Sequence, residues 1–305
     1  MKHILVTALT CLFLLTSTNA TGAELPSRPT EASHPASDSY QYTLFSETLT
    51  LSGRKIDFFA PSELMGKQSV PVIVFGHGQA IDASGYRETF IHLAKKGLAV
   101  IHPQYDTGFF DQNWRRMAQD FNSLTTATLN KYKDTLSPEM VIFSGHSKGA
   151  YVASIAMGLE TSGFSVASAV LFNAAGLDAA VLKNVSADLP VTVIWSEDDS
   201  TVKEQISLDI YQNLRVNKKQ YIRVVGYKNT TPALKADHFF VLSKKYFFGG
   251  QNGVTPLHFY GSWKWLMGAA LDFFEKTPHS NAYLYGADAS STGVDNLSHQ
   301  ITRSW

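Results

Sequence analysis

Eleven residues constrain this chain more than any others: Val141 to Tyr151, VIFSGHSKGAY. An apolar run enters Gly145-His146-Ser147-Lys148-Gly149, and small residues at helical spacing leave it, so the stretch reads as strand, sharp turn, helix. A G-x-S-x-G pentapeptide in that setting is a nucleophile elbow, which lifts one serine hydroxyl above the carboxyl edge of a sheet. Gly145 and Gly149 keep side chains away from a crowded junction, and Ala150 keeps it small. The following helix turns the positive end of its backbone dipole toward Ser147, where an oxyanion would be favoured. A bare G-x-S-x-G also arises by chance, and its context is what gives this one weight.

That context is an alternation of buried strands and helices. Pro71 to Phe75, Leu98 to His102, Val141 to Phe143, Ala167 to Phe172, Val191 to Trp195 and Gln220 to Val225 are short apolar runs of the kind found in strands covered on both faces. Between them lie helical patterns over Ser84 to Lys96, Gln112 to Tyr132 and Val202 to Leu214, with a last helix within Thr255 to Phe274. Ser137-Pro138 is expected to end the segment before the elbow strand, which begins at Met140. Tyr40 to Leu51 and Arg54 to Ala60, joined by Ser52-Gly53, read as a hairpin. The expectation is an α/β fold whose central sheet, of about eight mostly parallel strands, is flanked by helices and carries no large cap domain. Ligands then bind at the carboxyl ends of the strands.

The 305 residues, 44% of them hydrophobic and 17% charged, suit one large domain, placed at 40–276. Residues 1–23 read as a secretory signal cleaved near Ala20 or Ala23, 24–39 as a flexible lead-in, and 277–305 as an irregular tail packed on or near the domain. An exported protein, periplasmic or extracellular, is the expectation. The single cysteine, Cys11, lies inside the signal, so disulfides and a thiol nucleophile are excluded from the mature chain. The formal charge is 0, and removing Lys2 with the signal makes it −1. So neutral a chain offers nothing to nucleic acid or an anionic membrane, and no run after the signal is long enough to span a bilayer.

A serine hydroxyl needs a base, and the base needs a carboxylate to fix its tautomer. In this kind of fold they follow in the order serine, acid, histidine. After the second strand beyond the elbow the chain reads Ser196-Glu197-Asp198-Asp199-Ser200. Asp199 is the first choice of acid, Asp198 the second and Glu197 the third, with helix capping as the competing role for each. After the next strand comes Asp237-His238-Phe239-Phe240, which makes His238 the base. His92, His102, His258 and His299 stand at positions that suit structural roles. Backbone N–H groups of Gln79, in the Gly76-His77-Gly78-Gln79 loop, and of Lys148 are the expected oxyanion donors. His77 is expected to bond within its own loop. No phosphate loop is present, and neither metal nor cofactor is called for.

These residues resemble the serine α/β-hydrolases, and within them the branch of chlorophyllases, dienelactone-hydrolase-like esterases and cutinase-like polyester hydrolases. The resemblance is carried by VIVFGHG at Val72 to Gly78, Tyr86 with HLAKKGLAVIHPQYD at His92 to Asp106, GHSKGA at Gly145 to Ala150, and the Asp199 and His238 loops, and covers roughly Pro71 to Phe274. The stretch up to the elbow is most similar to chlorophyllase. The loop Val241 to Leu257 and the tail have no counterpart there. The resemblance implies Ser147, Asp199 and His238 as a triad, with Gln79 and Lys148 as oxyanion donors. The expected activity is hydrolysis of a small-molecule or lipid-like carboxylic ester; the same triad would also serve an acyltransferase or peptidase, and the same fold a binding protein without turnover. Tyr105, Phe109, Phe110, Trp114, Trp195 and Phe239 fall near the expected rim and suggest an apolar acyl or alcohol group.

Overall fold

In the computed structural model, residues 23–32, 34–67, 69–108, 110–274 and 300–304 are described. The chain begins with a hairpin of β1 (Leu44–Leu51) and β2 (Arg54–Pro61), turned by Ser52 and Gly53, both in left-handed conformation. It continues as β3 (Val70–Gly76), α1 (Ala83–Lys95), β4 (Ala99–Pro103), α2 (Trp114–Lys131), β5 (Leu136–His146) and α3 (Lys148–Ala156). Then follow β6 (Val166–Phe172), α4 (Ala179–Leu182), β7 (Val191–Ser196), α5 (Glu204–Asn213), β8 (Lys219–Val224), α6 (Trp263–Phe274) and β9 (Gln300–Ser304).

One sheet has the order β1-β2-β4-β3-β5-β6-β7-β8-β9. From β4 to β8 neighbouring strands run parallel, while β1, β2 and β9 pair antiparallel at the two ends. The expected α/β architecture is therefore present, with an additional antiparallel strand at the edge. Strand alternation divides the core. Val72, Val74, Val141, Phe143, Leu171 and Val193 face a layer built from α2, α3, α4 and α5. Ile73, Phe75, Ile142, Val170, Phe172 and Ile194 face α1 and α6. Both faces are dry, which is why these strands read as continuous apolar runs.

Three segments depart from expectation. Pro138 does not stop the chain before the elbow strand; β5 already starts at Leu136, with a break in register between Val70 and Val72. That irregularity accommodates the missing proline N–H. The described residues of 24–39 are docked rather than a loose lead-in: Arg28, which bonds the segment's own carbonyls at Ala36 (2.8 Å) and Ser37 (3.0 Å), lies 5.0 Å from the Trp263 ring centroid, Tyr260 Oη bonds the Ser27 carbonyl at 2.8 Å, and His92 Nε2 bonds the Pro35 carbonyl at 2.8 Å. A segment held by single anchors carries no periodicity to read. The tail, expected to be irregular, ends in order, as β9; residues 275–299 and residues 1–22, where the signal is expected, lie outside the described residues.

Candidate active site

Gly76 at the end of β3, Gly145 near the end of β5 and Gly149 in the first turn of α3 meet backbone to backbone. A Cβ on Gly76 would lie 2.7 Å from the Gly149 carbonyl oxygen, one on Gly145 would lie 2.5 Å from it, and one on Gly149 would run into the Gly76 carbonyl. Only hydrogen fits at all three, so the N-terminus of α3 seats directly on the sheet edge. Ser147, between β5 and α3, is forced into φ 56°, ψ −118°. Its N–H bonds the Phe172 carbonyl (2.9 Å), and its carbonyl accepts from Ala175 (3.1 Å). A buried serine in a left-handed conformation at a helix N-terminus is strained backbone held by its surroundings.

Asp199 and His238 come together from the loops after β7 and β8. His238 Nδ1–H donates to Asp199 Oδ2 at 2.7 Å, and both side chains are buried. Asp199 Oδ1 accepts the N–H groups of Thr201 (2.7 Å) and Val202 (2.9 Å). Asp199 therefore does not cap α5, which starts at Glu204 behind Lys203; one of its oxygens holds the loop before that helix and the other meets His238. Its neighbours face elsewhere. Asp198 Oδ2 accepts from Ala236 N–H (3.1 Å), and Glu197 takes Gly226 N–H (3.2 Å) and the Lys228 ammonium (2.9 Å). They pin the loop that carries the histidine.

The His238 backbone is fixed to the elbow. Its carbonyl accepts from His146 Nε2 (2.8 Å) and Asn173 Nδ2 (3.2 Å), and the two imidazole rings lie 4.9 Å apart. Asn173 also bonds Ser196 Oγ at 2.7 Å, joining the ends of β6 and β7 to the base loop. Histidine 238 therefore presents its remaining nitrogen, Nε2, on a ring held through Nδ1 on one side and its own carbonyl on the other.

Gln79, half-buried, lies in the loop after β3, and Lys148 opens α3 with an N–H that has no carbonyl one turn earlier to bond. The side chain of Lys148 is buried and paired with Asp106 at 2.7 Å. Gln104 Nε2 bonds the other Asp106 oxygen at 2.9 Å and approaches His77 Nε2 at 3.3 Å. Histidine 77 bonds the Gly78 carbonyl (3.0 Å), stacks on Tyr105, and is pushed down to about 4 mainly by burial, with His102 adding to it. It is a neutral loop brace, as expected. Beside this loop opens a cleft of about 240 Å³, lined by His77, Ala80, Ile81, Asp82, Gln104, Asp106 and Gly108.

The expected aromatic rim is only partly there. Tyr105 and Trp195 are core residues, Tyr105 against His77 and Trp195 bonding the Val202 carbonyl. Both stand at strand ends whose side chains turn inward. Phe110 is exposed, Trp114 packs on Tyr151, and Phe239 lies edge-on to His238 at 4.8 Å; Phe109 lies outside the described residues. Sequence reasoning does not single out Asn173, Asp106 or His146. The one signal for Asn173 and Asp106 is a polar residue close after a buried strand, at the edge where sites form. Among the described residues no helix is long and apolar enough to cross a membrane. No family model matches the chain, and no curated protein does.

Proposed function

We propose that this protein is an exported serine hydrolase of α/β-hydrolase fold that cleaves carboxylic esters through an acyl-enzyme. The observation that carries the reading is the buried 2.7 Å bond between Asp199 and His238, held against the elbow that strains Ser147. The strand order β1-β2-β4-β3-β5-β6-β7-β8, with the elbow after β5, supports the fold.

In the mechanism, His238 Nε2 takes the Ser147 hydroxyl proton as Oγ attacks the ester carbonyl carbon. The carbonyl oxygen, now anionic, lies between the N–H groups of Gln79 and Lys148. Collapse of the tetrahedral species breaks the bond to the alcohol, which leaves with the proton from His238. Water, deprotonated by the same nitrogen, then attacks the acyl-enzyme and releases the acid, restoring Ser147. Asp199 keeps the Nδ1–H tautomer and stabilises the imidazolium in both halves. No step calls for metal or cofactor. The polar lining beside the oxyanion loop favours an ester with hydrogen-bonding groups near its reacting carbonyl.

The test is labelling of purified protein by a fluorophosphonate, read by intact mass beside Ser147→Ala, with p-nitrophenyl acetate through octanoate as substrates. Labelling of wild type alone is expected, with turnover lost by a factor of order 10³ or more in the variant. A well-folded wild type that takes no label and turns over no ester would leave a binding protein as the reading.

A further inference from the structure

Three loops must agree in position for acyl transfer: the oxyanion loop after β3, the elbow after β5 and the base loop after β8. They are spread along the chain, at 76–79, 145–149 and 237–240. Two buried side chains connect them. Gly78 N–H donates to Tyr86 Oη at 2.9 Å, Tyr86 Oη lies 3.0 Å from His146 Nδ1, and His146 Nε2 lies 2.8 Å from the His238 carbonyl oxygen.

The direction of every bond in this chain is determined. A carbonyl oxygen only accepts, so His146 Nε2 carries hydrogen. His146 is wholly buried, and burial, with His238 close by, holds its pKa well below that of free imidazole, so the ring is neutral and Nδ1 is bare. Tyr86 Oη must then donate to Nδ1 while accepting from Gly78. Burial also raises the Tyr86 phenol, so that proton stays in place. Each group spends its one hydrogen on the next, and no partner can be reversed without breaking a neighbour. The packing agrees: a Cβ on Gly78 would lie 3.0 Å from His146 Nδ1 and 3.3 Å from Tyr86 Oη.

Resting on the hydrolase reading, we propose that Tyr86 and His146 are positioning residues that tie the oxyanion loop and the base loop to the elbow as one unit. Tyr86 fixes the Gly78 amide, one peptide before the Gln79 N–H that faces the oxyanion. His146 fixes the carbonyl of the residue whose ring takes the proton. Neither touches substrate. Their joint effect is that donors and base keep register when charge develops, which acts on the transition state more than on the bound ester.

The decisive variants are Tyr86→Phe, which keeps the ring and deletes both bonds, and His146→Gln, assayed singly and together. Tyr86→Phe should lower kcat at least about tenfold while KM for p-nitrophenyl butyrate changes less than about twofold. Affinity for a trifluoromethyl ketone, which forms the oxyanion on Ser147, should fall by the same factor as kcat/KM. The double variant should be no more than about threefold worse than the poorer single variant, because one chain is cut twice. A Tyr86→Phe enzyme within twofold of wild type in kcat, or losses that multiply, would overturn the proposal. Nitrogen-15 spectra of wild-type histidines give a reading independent of turnover: at pH 7 His146 should be the neutral Nε2–H tautomer, and an Nδ1–H or doubly protonated ring would overturn it as well. A wild type inert to ester and fluorophosphonate fails the hydrolase reading alone, and the tautomer then decides whether the chain exists.

Discussion

At the scale of the residue, Ser147 shows how far backbone geometry is bent where a strand turns sharply into a helix. A non-glycine residue at φ 56°, ψ −118° is strained by on the order of 1–3 kcal/mol, which the surrounding glycine contacts over-determine. Ser147→Gly should therefore be inactive yet more stable to urea than Ser147→Ala, by about 1 kcal/mol after the entropy of glycine is counted. Equal midpoints would place the strain elsewhere. The neighbouring Lys148 poses the opposite problem, a buried ammonium whose one carboxylate partner among the described residues is Asp106. Asp106→Asn leaves that charge unneutralised and should destabilise by about 3–5 kcal/mol, whereas adding Lys148→Met should recover most of the loss. Chemical denaturation of the two singles and the double closes that cycle. The strained turn at Ser147 and the Asp199–His238 bond are legible in the sequence, because each of these residues follows a recognisable strand in a fixed order. The Asp106–Lys148 pair is not, since 42 residues separate its members and neither departs from its local pattern. Tyr86 reads as one more aromatic on the buried side of a helix, and His146 occupies the position of G-x-S-x-G that the motif leaves free.

At the scale of the element, hydrophobic period marks the interior strands and long helices well, because two dry faces demand unbroken apolar runs. It fails at the margins of the sheet. β9 is the polar string QITRS, five residues with no alternation, and what makes it a strand is the unpaired edge of β8 rather than its own composition. Edge strands are short and polar for a physical reason: a long apolar edge would invite another chain. Deleting residues 300–305 should accordingly do two things. The pairing from Lys219↔Ser304 to Arg223↔Gln300 disappears, lowering stability by about 2–4 kcal/mol. The bared edge of β8 should also drive self-association, visible as a concentration-dependent species in sedimentation velocity. A truncated chain that stays monomeric and as stable as the full one would show that β9 contributes nothing to closing the sheet. The segment 24–39 teaches the same lesson at the other end. Its proline and serine content conceals one arginine that bonds the segment's own carbonyls, and the docking comes from the domain side, where His92, Lys96 and Tyr260 reach Pro35, Ser39 and Ser27.

At the scale of the whole molecule, histidine burial sets the response to acid. Seven of the ten histidines lie among the described residues, and all seven are buried: His34, His77, His92, His102, His146, His238 and His258. Burial lowers four of them, His77 and His258 to about 4, His92 and His146 well below the free value. The unfolded chain binds protons at these sites near pH 6.5 and the native chain does not, so their stabilising contribution is complete above that pH. It is lost as pH falls from 6.5 toward 4. At pH 5 the linkage is worth about 2 kcal/mol for each of His77 and His258, and His92 and His146 act in the same direction, against a typical total stability of about 5–15 kcal/mol. Opening should start on the face covered by α1 and α6. There His92 stacks on Trp263 at 3.9 Å, holds the 24–39 segment by donating its Nε2–H to the Pro35 carbonyl, and lies 3.3 Å from the Arg28 guanidinium, which an imidazolium would repel. Urea midpoints measured from pH 8 to pH 4.5 should be flat down to about pH 7 and then descend steeply, and His258→Leu should make the descent shallower by one proton. A midpoint unchanged between pH 7 and 5 would mean that these rings reach water without unfolding, and that the α1–α6 face is looser than its packing shows.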